Sequence, residues 1–287
     1  MIKVFASDMD GTLLNEYHVL SERTVKAIKA LQAAGIEFII ATGRAYHSAL
    51  PLLEANGIKC SFITLNGAVL WDQEGKIHNP TPIEYQEVLN MVDYLKTNQI
   101  NYSFMSMDNI YIKDKAAHQT RMRKFFEEEA KRKKVDLSEI SQAQLVANEK
   151  YLKSLDEYDL NPDHSPMKIM IFSDEAQVLQ DFQAQFGQIS SLDITSSAPD
   201  NLEITHKKAQ KGIAIQAYLK EKGINMDQVA AIGDSLNDRS MLRMARYSFA
   251  MENGVEPVKK IAKYLAAPNT QDGVAQVIEA ILAGEYQ

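Results

Sequence analysis

Three short apolar runs, each ending in a polar cluster that contains glycine, constrain the fold of this chain more than any other feature. They read "KVFASDMDGT", "EFIIATGR" and "VAAIGDSLND". Apolar runs of this length, bounded by turn residues, are typical of strands that are buried on both faces in a parallel α/β sheet. Because ligands bind beyond the carboxyl ends of such strands, we expect the three polar clusters to meet at one edge of the sheet.

Helical patterns connect and follow these runs. The segment "SERTVKAIKALQAAG" has Ser21 as an N-cap and Gly35 as a C-cap, which predicts a crossover helix. After the third run, "NDRSMLRMA" and "EPVKKIAKYL" predict helices on either side of the strand "YSFAM", and "QDGVAQVIEAILAG" predicts a closing helix. This alternation predicts an α/β fold with a Rossmann-like, three-layer core and a parallel sheet.

The middle of the chain has a different character. Two prolines in "NPTP" at residues 79–82 mark a domain edge. Beyond them, helical patterns, including a charged helix at 123–134, mix with short strands predicted for "YSFMSM", "IYIK" and "MKIMIF". Since the α/β alternation resumes only after about residue 195, we predict a discontinuous core domain, residues 1–82 and 195–287, with an inserted α+β domain at residues 83–194.

Composition limits the classes of partner and compartment. The chain has 287 residues, 45% apolar and 24% charged, as in an ordinary globular protein. Its net charge of -7 argues against nucleic-acid and anionic-membrane partners. The single cysteine, Cys60, excludes an intrachain disulfide, and no apolar stretch has the length of a membrane span or the form of a signal peptide. We therefore expect a cytoplasmic protein, monomeric or weakly homo-oligomeric.

Two carboxylates, Asp8 and Asp10, follow the first apolar run, and Gly11 lets the chain turn sharply after them. Close carboxylates repel each other unless a cation lies between them, and oxygen ligands with water suit Mg²⁺. A solvated turn explains the same residues. A calcium loop of the EF-hand type is disfavoured, because the glycine stands at the fourth position of the motif instead of the sixth and Val19 occupies the place of the terminal Glu.

The second polar cluster could hold an oxyanion. Thr42 supplies a hydroxyl, Gly43 a main-chain amide and Arg44 a guanidinium. The alternative is a strand that ends in a helix N-cap with an exposed arginine, and the cluster alone favours that alternative.

A lysine beside a helix N-terminus would also attract an anion. In "HKKAQKGIAI" a helical pattern begins near Gly212, and three lysines precede it. Composition does not distinguish Lys207, Lys208 and Lys211, and lysines in a charged run are usually solvated.

The third apolar run ends in two more acids. Asp234 follows the strand directly and could complete a metal site, and Asp238 comes four residues later, with Asn237 before it. Both acids could instead cap or start a helix, where a carboxylate is favourable to the helix dipole.

Taken together and in this order, "DMDGT", "ATGR", the lysine of "QKGIAI" and "GDSLND" resemble the motifs of the haloacid dehalogenase superfamily. The segments "TLNGA", "AMENG" and "NTQDGVA" further resemble its Cof-type subfamily, whose members insert a C2B-like α+β cap between the second and third motifs. One departure is Gly254, where alanine is commoner.

The resemblance implies a reaction, a cofactor and a set of site residues. It implies hydrolysis of a phosphate monoester through an aspartyl-phosphate on Asp8, with Asp10 as the general acid and base and with Thr42 and Lys211 on the phosphoryl oxygens. It implies Mg²⁺ held by Asp8, the main-chain carbonyl of Asp10, Asp234 and, directly or through water, Asp238. It also implies secondary contacts to substrate from Gly43, Arg44, Asn66, Asn237 and Asn253.

The substrate expected from the resemblance is a small phosphorylated metabolite such as a sugar phosphate, selected by the inserted domain. An acid at Asp10 disfavours the phosphoryl-transfer ATPases of the superfamily, which lack one there. Two alternatives stay open: a sugar phosphomutase, which uses the same pair of acids, and a noncatalytic sugar-phosphate sensor.

Overall fold

The computed structural model of the chain describes residues 1–133, 149–196 and 198–286. The strands, in chain order, are β1 (Val4–Ser7), β2 (Glu37–Ala41), β3 (Ser61–Thr64), β4 (Val69–Trp71), β5 (Ile77–His78), β6 (Asn101–Met105), β7 (Ile110–Ile112), β8 (Leu152–Ser154), β9 (Lys168–Phe172), β10 (Leu192–Thr195), β11 (Asn201–His206), β12 (Val229–Gly233), β13 (Tyr247–Met251) and β14 (Tyr264–Ala266).

The helices are α1 (Glu22–Ala33), α2 (Tyr46–Glu54), α3 (Tyr85–Thr97), α4 (Lys115–Lys133), α5 (Ala176–Phe186), α6 (Lys211–Glu221), α7 (Arg239–Met244), α8 (Glu256–Lys259) and α9 (Gly273–Leu282). The predicted charged helix forms the second half of α4, and its last predicted residue, 134, lies outside the described residues. No helix in the described ranges combines the length and apolarity that a membrane crossing requires.

The first sheet has eight strands in the order β14-β13-β12-β1-β2-β3-β4-β5. The six from β14 to β3 are parallel, and β4 and β5 add an antiparallel edge. Successive residues of β1 point to opposite layers: Phe5 packs with α1 and α9, whereas Val4 and Ala6 pack with α6 and α7. Helices therefore cover both faces, and the predicted three-layer α/β core is confirmed.

The second sheet has six strands in the order β10-β11-β9-β6-β7-β8, antiparallel except between β7 and β8. One face is apolar and packs on α3 and α5, with Ile169, Ile171, Leu202 and Ile204 in that layer. A sheet with one helix-covered face reads as alternating apolar and polar residues, a weaker signal than a continuous apolar run. For that reason the sequence analysis found β6, β7 and β9 but not β8, β10 or β11.

Two boundaries differ from the sequence prediction. β11 pairs with β9, so the second sheet continues to His206, past the predicted return to the core at residue 195. The predicted helix "EPVKKIAKYL" ends early: α8 stops at Lys259, and Tyr264–Ala266 form β14. The reason is pairing, because β14 lies parallel to β13 and completes that edge of the first sheet.

Helix α1 begins and ends as its sequence indicates. The Ser21 hydroxyl accepts a hydrogen bond from the amide of Thr24, and Gly35 follows the helix at φ 80°, a conformation that suits glycine.

Candidate active site

The predicted polar clusters meet at the carboxyl edge of the first sheet. β1 lies between β2 and β12 and is parallel to both. Asp8 therefore emerges beside Thr42 at the end of β2 and beside Asp234 at the end of β12. This confirms the expectation that three separate clusters share one rim.

Lys211 joins the two acidic loops. Its ammonium donates to Asp8 Oδ1 at 2.7 Å and to Asp238 Oδ1 at 2.6 Å, and the side chain is completely buried at the start of α6. Lys207 and Lys208 are exposed. Geometry thus selects Lys211 among the three lysines that composition left equivalent.

Asp238 is fully buried and fixes the loop after β12. Its Oδ1 accepts from Lys211, and its Oδ2 accepts from the main-chain amides of Asp234 and Ser235, both at 2.9 Å. A Cβ at Gly233 would lie 2.5 Å from the same carboxylate, so the close approach requires glycine there. These contacts favour a positioning role for Asp238, which orients Lys211 and Asp234.

Asp234 accepts a hydrogen bond from a hydroxyl group of the first motif. Thr12 Oγ1 donates to Asp234 Oδ1 at 2.9 Å. Gly11 turns at φ 79°, and a Cβ on it would lie 2.5 Å from Asp234 Oδ2. The sequence analysis quoted Thr12 in its motif but gave it no role, because its partner lies 222 positions along the chain.

Buried charge shifts the pKa values of these acids. Burial raises the pKa of Asp8 well above its ordinary value; Lys211 lowers it, and the nearby acids raise it again. Burial and Asp238 raise the pKa of Asp234 from 3.8 to about 7, although the Thr12 hydrogen bond opposes the rise. Burial opposes the charge on Lys211, but Asp238 and Asp8 raise its pKa, so the amine stays protonated.

The same acids could hold a divalent cation. One carboxylate oxygen each from Asp8, Asp234 and Asp238 lies within 4.8 Å of the others, the one such group found in the described residues. An all-oxygen donor set suits a hard cation, and a cation would relieve the repulsion that raises the pKa values of Asp8 and Asp234.

Asp10 points to a second ionic cluster at the rim. Arg44 donates to both of its carboxylate oxygens, at 2.7 and 2.5 Å, and His18 Nδ1 lies 3.6 Å from Oδ1. Burial opposes ionisation of Asp10, but the pairing with Arg44 and His18 holds its pKa far below the ordinary value. Its side chain is 44% exposed, so the carboxylate faces the opening of the site. No motif in the sequence singles out His18.

Amide side chains connect the second motif to the fourth. The Thr42 hydroxyl is buried and accepts from the amide of Arg44 at 3.1 Å. Asn66 Oδ1 accepts from Asn237 Nδ2 at 3.1 Å, and a Cβ at Gly43 would lie 2.8 Å from that oxygen. Three of the predicted substrate contacts therefore pack together beside the predicted phosphate-binding site: Gly43, Asn66 and Asn237.

The side-chain amide of Asn253 forms hydrogen bonds to the main chain through both its nitrogen and its oxygen. Its Nδ2 donates to the carbonyl of Gly11 at 2.7 Å, and its Oδ1 accepts from the amide of Asn269 at 3.0 Å. These contacts brace the turn that carries Asp10 and Thr12. The structure thus gives Asn253 a loop-supporting position, and its contact with substrate stays a prediction.

Comparisons with known proteins agree with this geometry. Phosphatase YwpJ of Bacillus subtilis is 31% identical, with 98% of this chain and 100% of that protein covered. Pyridoxal phosphate phosphatase YbhA of Escherichia coli is 25% identical, with 96% and 97% covered. The solved structure of a haloacid dehalogenase-like hydrolase from B. subtilis superposes with a TM-score of 0.83 at 30% identity and covers 97% of this chain and 99% of its own.

A family model described as haloacid dehalogenase-like hydrolase matches residues 5–278, nearly the whole chain. The motifs, the three-layer core and the relatives lead to the same assignment. The chain belongs to the haloacid dehalogenase-like hydrolase family and to the phosphatases within it.

Proposed function

We propose that this protein is a Mg²⁺-dependent phosphatase that hydrolyses small phosphate monoesters, such as sugar phosphates, through an aspartyl-phosphate on Asp8. The observation that carries the proposal is the buried hydrogen bond from Lys211 Nζ to Asp8 Oδ1, 2.7 Å long. Asp234 and Asp238 lie beside this pair and form an acidic group with Asp8. A relative named for pyridoxal phosphate, itself a small phosphate monoester, supports the substrate class.

Asp8, Asp234 and the main-chain carbonyl of Asp10 would hold the Mg²⁺. Asp238 would act on the site through Lys211 and the amides of Asp234 and Ser235, which its oxygens already bind. When bound, the ion supplies positive charge that offsets the negative charge of the phosphate and of the carboxylates around it.

The Asp8 carboxylate forms a bond to phosphorus as the bond from phosphorus to the leaving-group oxygen breaks. Its repulsion from the incoming phosphate is reduced by the Lys211 ammonium. Thr42 and Lys211 would donate to the phosphoryl oxygens, where charge is spread in the transition state.

Asp10 gives a proton to the leaving oxygen in the first half-reaction and takes one from the attacking water in the second. Paired with Arg44 it is ionised, the form required for the second half. A substrate phosphate competes with Asp10 for the Arg44 guanidinium. Loss of that pairing raises the pKa of Asp10 and allows it to carry the proton needed in the first half.

The test is phosphate release from a panel of sugar phosphates and other monoesters, with and without Mg²⁺. We expect release that requires Mg²⁺ and that is abolished in Asp8→Asn, which keeps the size of the side chain and removes the nucleophile. Isomerisation of a sugar phosphate without net release, or full activity in Asp8→Asn, would contradict the proposal.

A further inference from the structure

The second sheet has a polar face that the catalytic proposal does not use. The strand register places Lys168 of β9 opposite Thr205 of β11. Two residues along and on the same side of the sheet, Met170 of β9 lies opposite Glu203 of β11 and Ser103 of β6. The four polar side chains are buried, and they point away from the face that packs on α3 and α5.

An ion pair lies at the centre of this polar face. Lys168 Nζ is 2.5 Å from Glu203 Oε2, and the two side chains are only 4% and 11% exposed. A buried ion pair adds little net stability, because desolvation of the two charges offsets their attraction, and apolar residues of similar size often serve a core as well. Stability alone therefore gives no reason for this pair.

The pair is connected to the active site through one amide. Asn66 Nδ2 donates to Glu203 Oε2 at 3.1 Å, and Asn66 Oδ1 accepts from Asn237, the residue before Asp238. Gly43, adjacent to Thr42, packs against the same Asn66 oxygen. A ligand phosphate at Thr42 and Lys211 would thus place its leaving group next to Asn66 and Glu203.

The charges of the pair indicate which leaving group fits. Lys168 and Glu203 cancel, so a second anionic group gains no net attraction and meets the Glu203 carboxylate. Hydroxyl groups, in contrast, can donate to that carboxylate and accept from the Lys168 ammonium and the Asn66 amide. The subsite suits a neutral leaving group that carries neighbouring hydroxyls.

We propose that Glu203 and Lys168, together with Asn66, form the subsite that binds the hydroxyl groups of the leaving group and so selects polyhydroxylated phosphate monoesters. The proposal rests on the phosphatase function proposed above. It names specificity-determining residues on the inserted sheet, at a distance from the phosphorus atom.

The test compares kcat/KM on p-nitrophenyl phosphate, whose leaving group has no hydroxyls, with kcat/KM on sorbitol 6-phosphate, ribose 5-phosphate, glucose 6-phosphate and fructose 1,6-bisphosphate. The wild-type protein should have a higher kcat/KM on at least one polyhydroxyl monophosphate than on the aryl phosphate or the bisphosphate. Selectivity is the kcat/KM for the preferred polyhydroxyl monophosphate divided by the kcat/KM for p-nitrophenyl phosphate. In Glu203→Gln this ratio should fall by roughly 10- to 100-fold, because a hydrogen bond to a charged group is lost. The same variant should shift preference toward the bisphosphate, since Lys168 then lacks its counter-charge.

Two further variants keep the test decisive. Glu175→Gln, an exposed carboxylate on the same inserted segment, should leave every ratio unchanged. The double variant Lys168→Met with Glu203→Gln leaves no unpaired buried charge. It should lose the same selectivity, so it provides the test even if the single variant folds poorly.

A wild-type protein without preference for any polyhydroxyl monophosphate, or variants in which all substrates decline together, would overturn this subsite. Neither result touches the phosphatase proposal, which is tested separately by phosphate release from p-nitrophenyl phosphate and by its loss in Asp8→Asn.

Discussion

Lys211 carries its positive charge where water does not reach, and the two carboxylates that neutralise it belong to different loops. Removing Lys211 would leave two buried carboxylates without a counter-charge, which is among the most costly changes a fold can suffer, whereas removing one carboxylate leaves a one-to-one ion pair. The sequence indicated Asp8 and Asp238 because each follows or closely follows a buried strand. It could not select the lysine, since burial depends on how α6 packs and not on the local charge run.

At the same scale, the raised pKa values of Asp8 and Asp234 predict how metal and pH act on stability. A carboxyl with a higher pKa in the folded state stabilises the fold below its unfolded pKa, and that stabilisation is lost as the pH rises through the folded value. For Asp234 the loss spans the interval from 3.8 to about 7. Under the proposed function, Mg²⁺ bound by the ionised acids should restore the lost stability.

The expected result is a rise in melting temperature on adding Mg²⁺ that is larger at about pH 8 than at about pH 5.5. Thermal denaturation with and without the ion at both pH values measures it. Asp234→Asn is the control, because it removes one of the two titrating carboxyls and should reduce the difference. Equal Mg²⁺ effects at both pH values would show that these acids do not bind the ion.

Asp10 makes a separate prediction at the residue scale. In Asp10→Asn the good leaving group of p-nitrophenyl phosphate still departs, because nitrophenolate needs no proton, but no base remains to activate water. We expect a burst of about one nitrophenolate per active site followed by turnover slowed by roughly 100- to 10,000-fold. Stopped-flow absorbance measures both phases. A slow first turnover without a burst would place Asp10 in the first step alone.

At the scale of secondary structure, strands buried on both faces carried the clearest sequence signal, and half-buried strands were only partly predictable. β1, β2 and β12 carry continuous apolar runs and were found from the sequence, and the motifs at their ends were found with them. β11 alternates apolar residues with Asn201, Glu203 and Thr205, so its pairing with β9 emerged only from the structure. Glu203 was missed for the same reason, because it belongs to this alternating strand.

The turn between β3 and β4 is where backbone geometry controls the site most closely. Gly67 adopts φ 111°, and a Cβ on it would lie 2.4 Å from the carbonyl carbon of Gln210, the residue before Lys211. Asn66, next to it, holds a left-handed conformation at φ 61°. Any side chain at Gly67 must therefore push against the start of α6.

Gly67→Ala should destabilise the protein and lower kcat, because it displaces Lys211 and Asn66 together. Gly35→Ala is the matched control, since Gly35 also has a positive φ but a Cβ there would have no neighbour within 4 Å. The control should cost roughly 1 kcal/mol in free energy of unfolding and leave kcat unchanged, and Gly67→Ala should cost more. Urea denaturation and steady-state kinetics measure both effects. Equal costs and equal kcat values would contradict the packing argument.

At the scale of the whole molecule, two sheets meet at the candidate site. The first sheet brings the ends of β1, β2 and β12 together, while the second places Glu203, paired with Lys168, against Asn66. The sequence predicted an inserted domain at residues 83–194, and that division stays a prediction. The second sheet extends past residue 194 because β11 pairs with β9, which the sequence did not indicate since β10 and β11 lack the apolar runs by which strands were recognised.

The central claim is that residues from four distant parts of the chain converge so that Asp8 becomes covalently phosphorylated. It is tested most directly by mixing the protein with substrate and Mg²⁺, quenching in acid and reducing with borohydride, which converts an aspartyl-phosphate to homoserine. Peptide sequencing by mass spectrometry should find homoserine at position 8 and at no other aspartate. Unmodified Asp8 in Asp10→Asn protein, in which the intermediate should accumulate, would contradict the account.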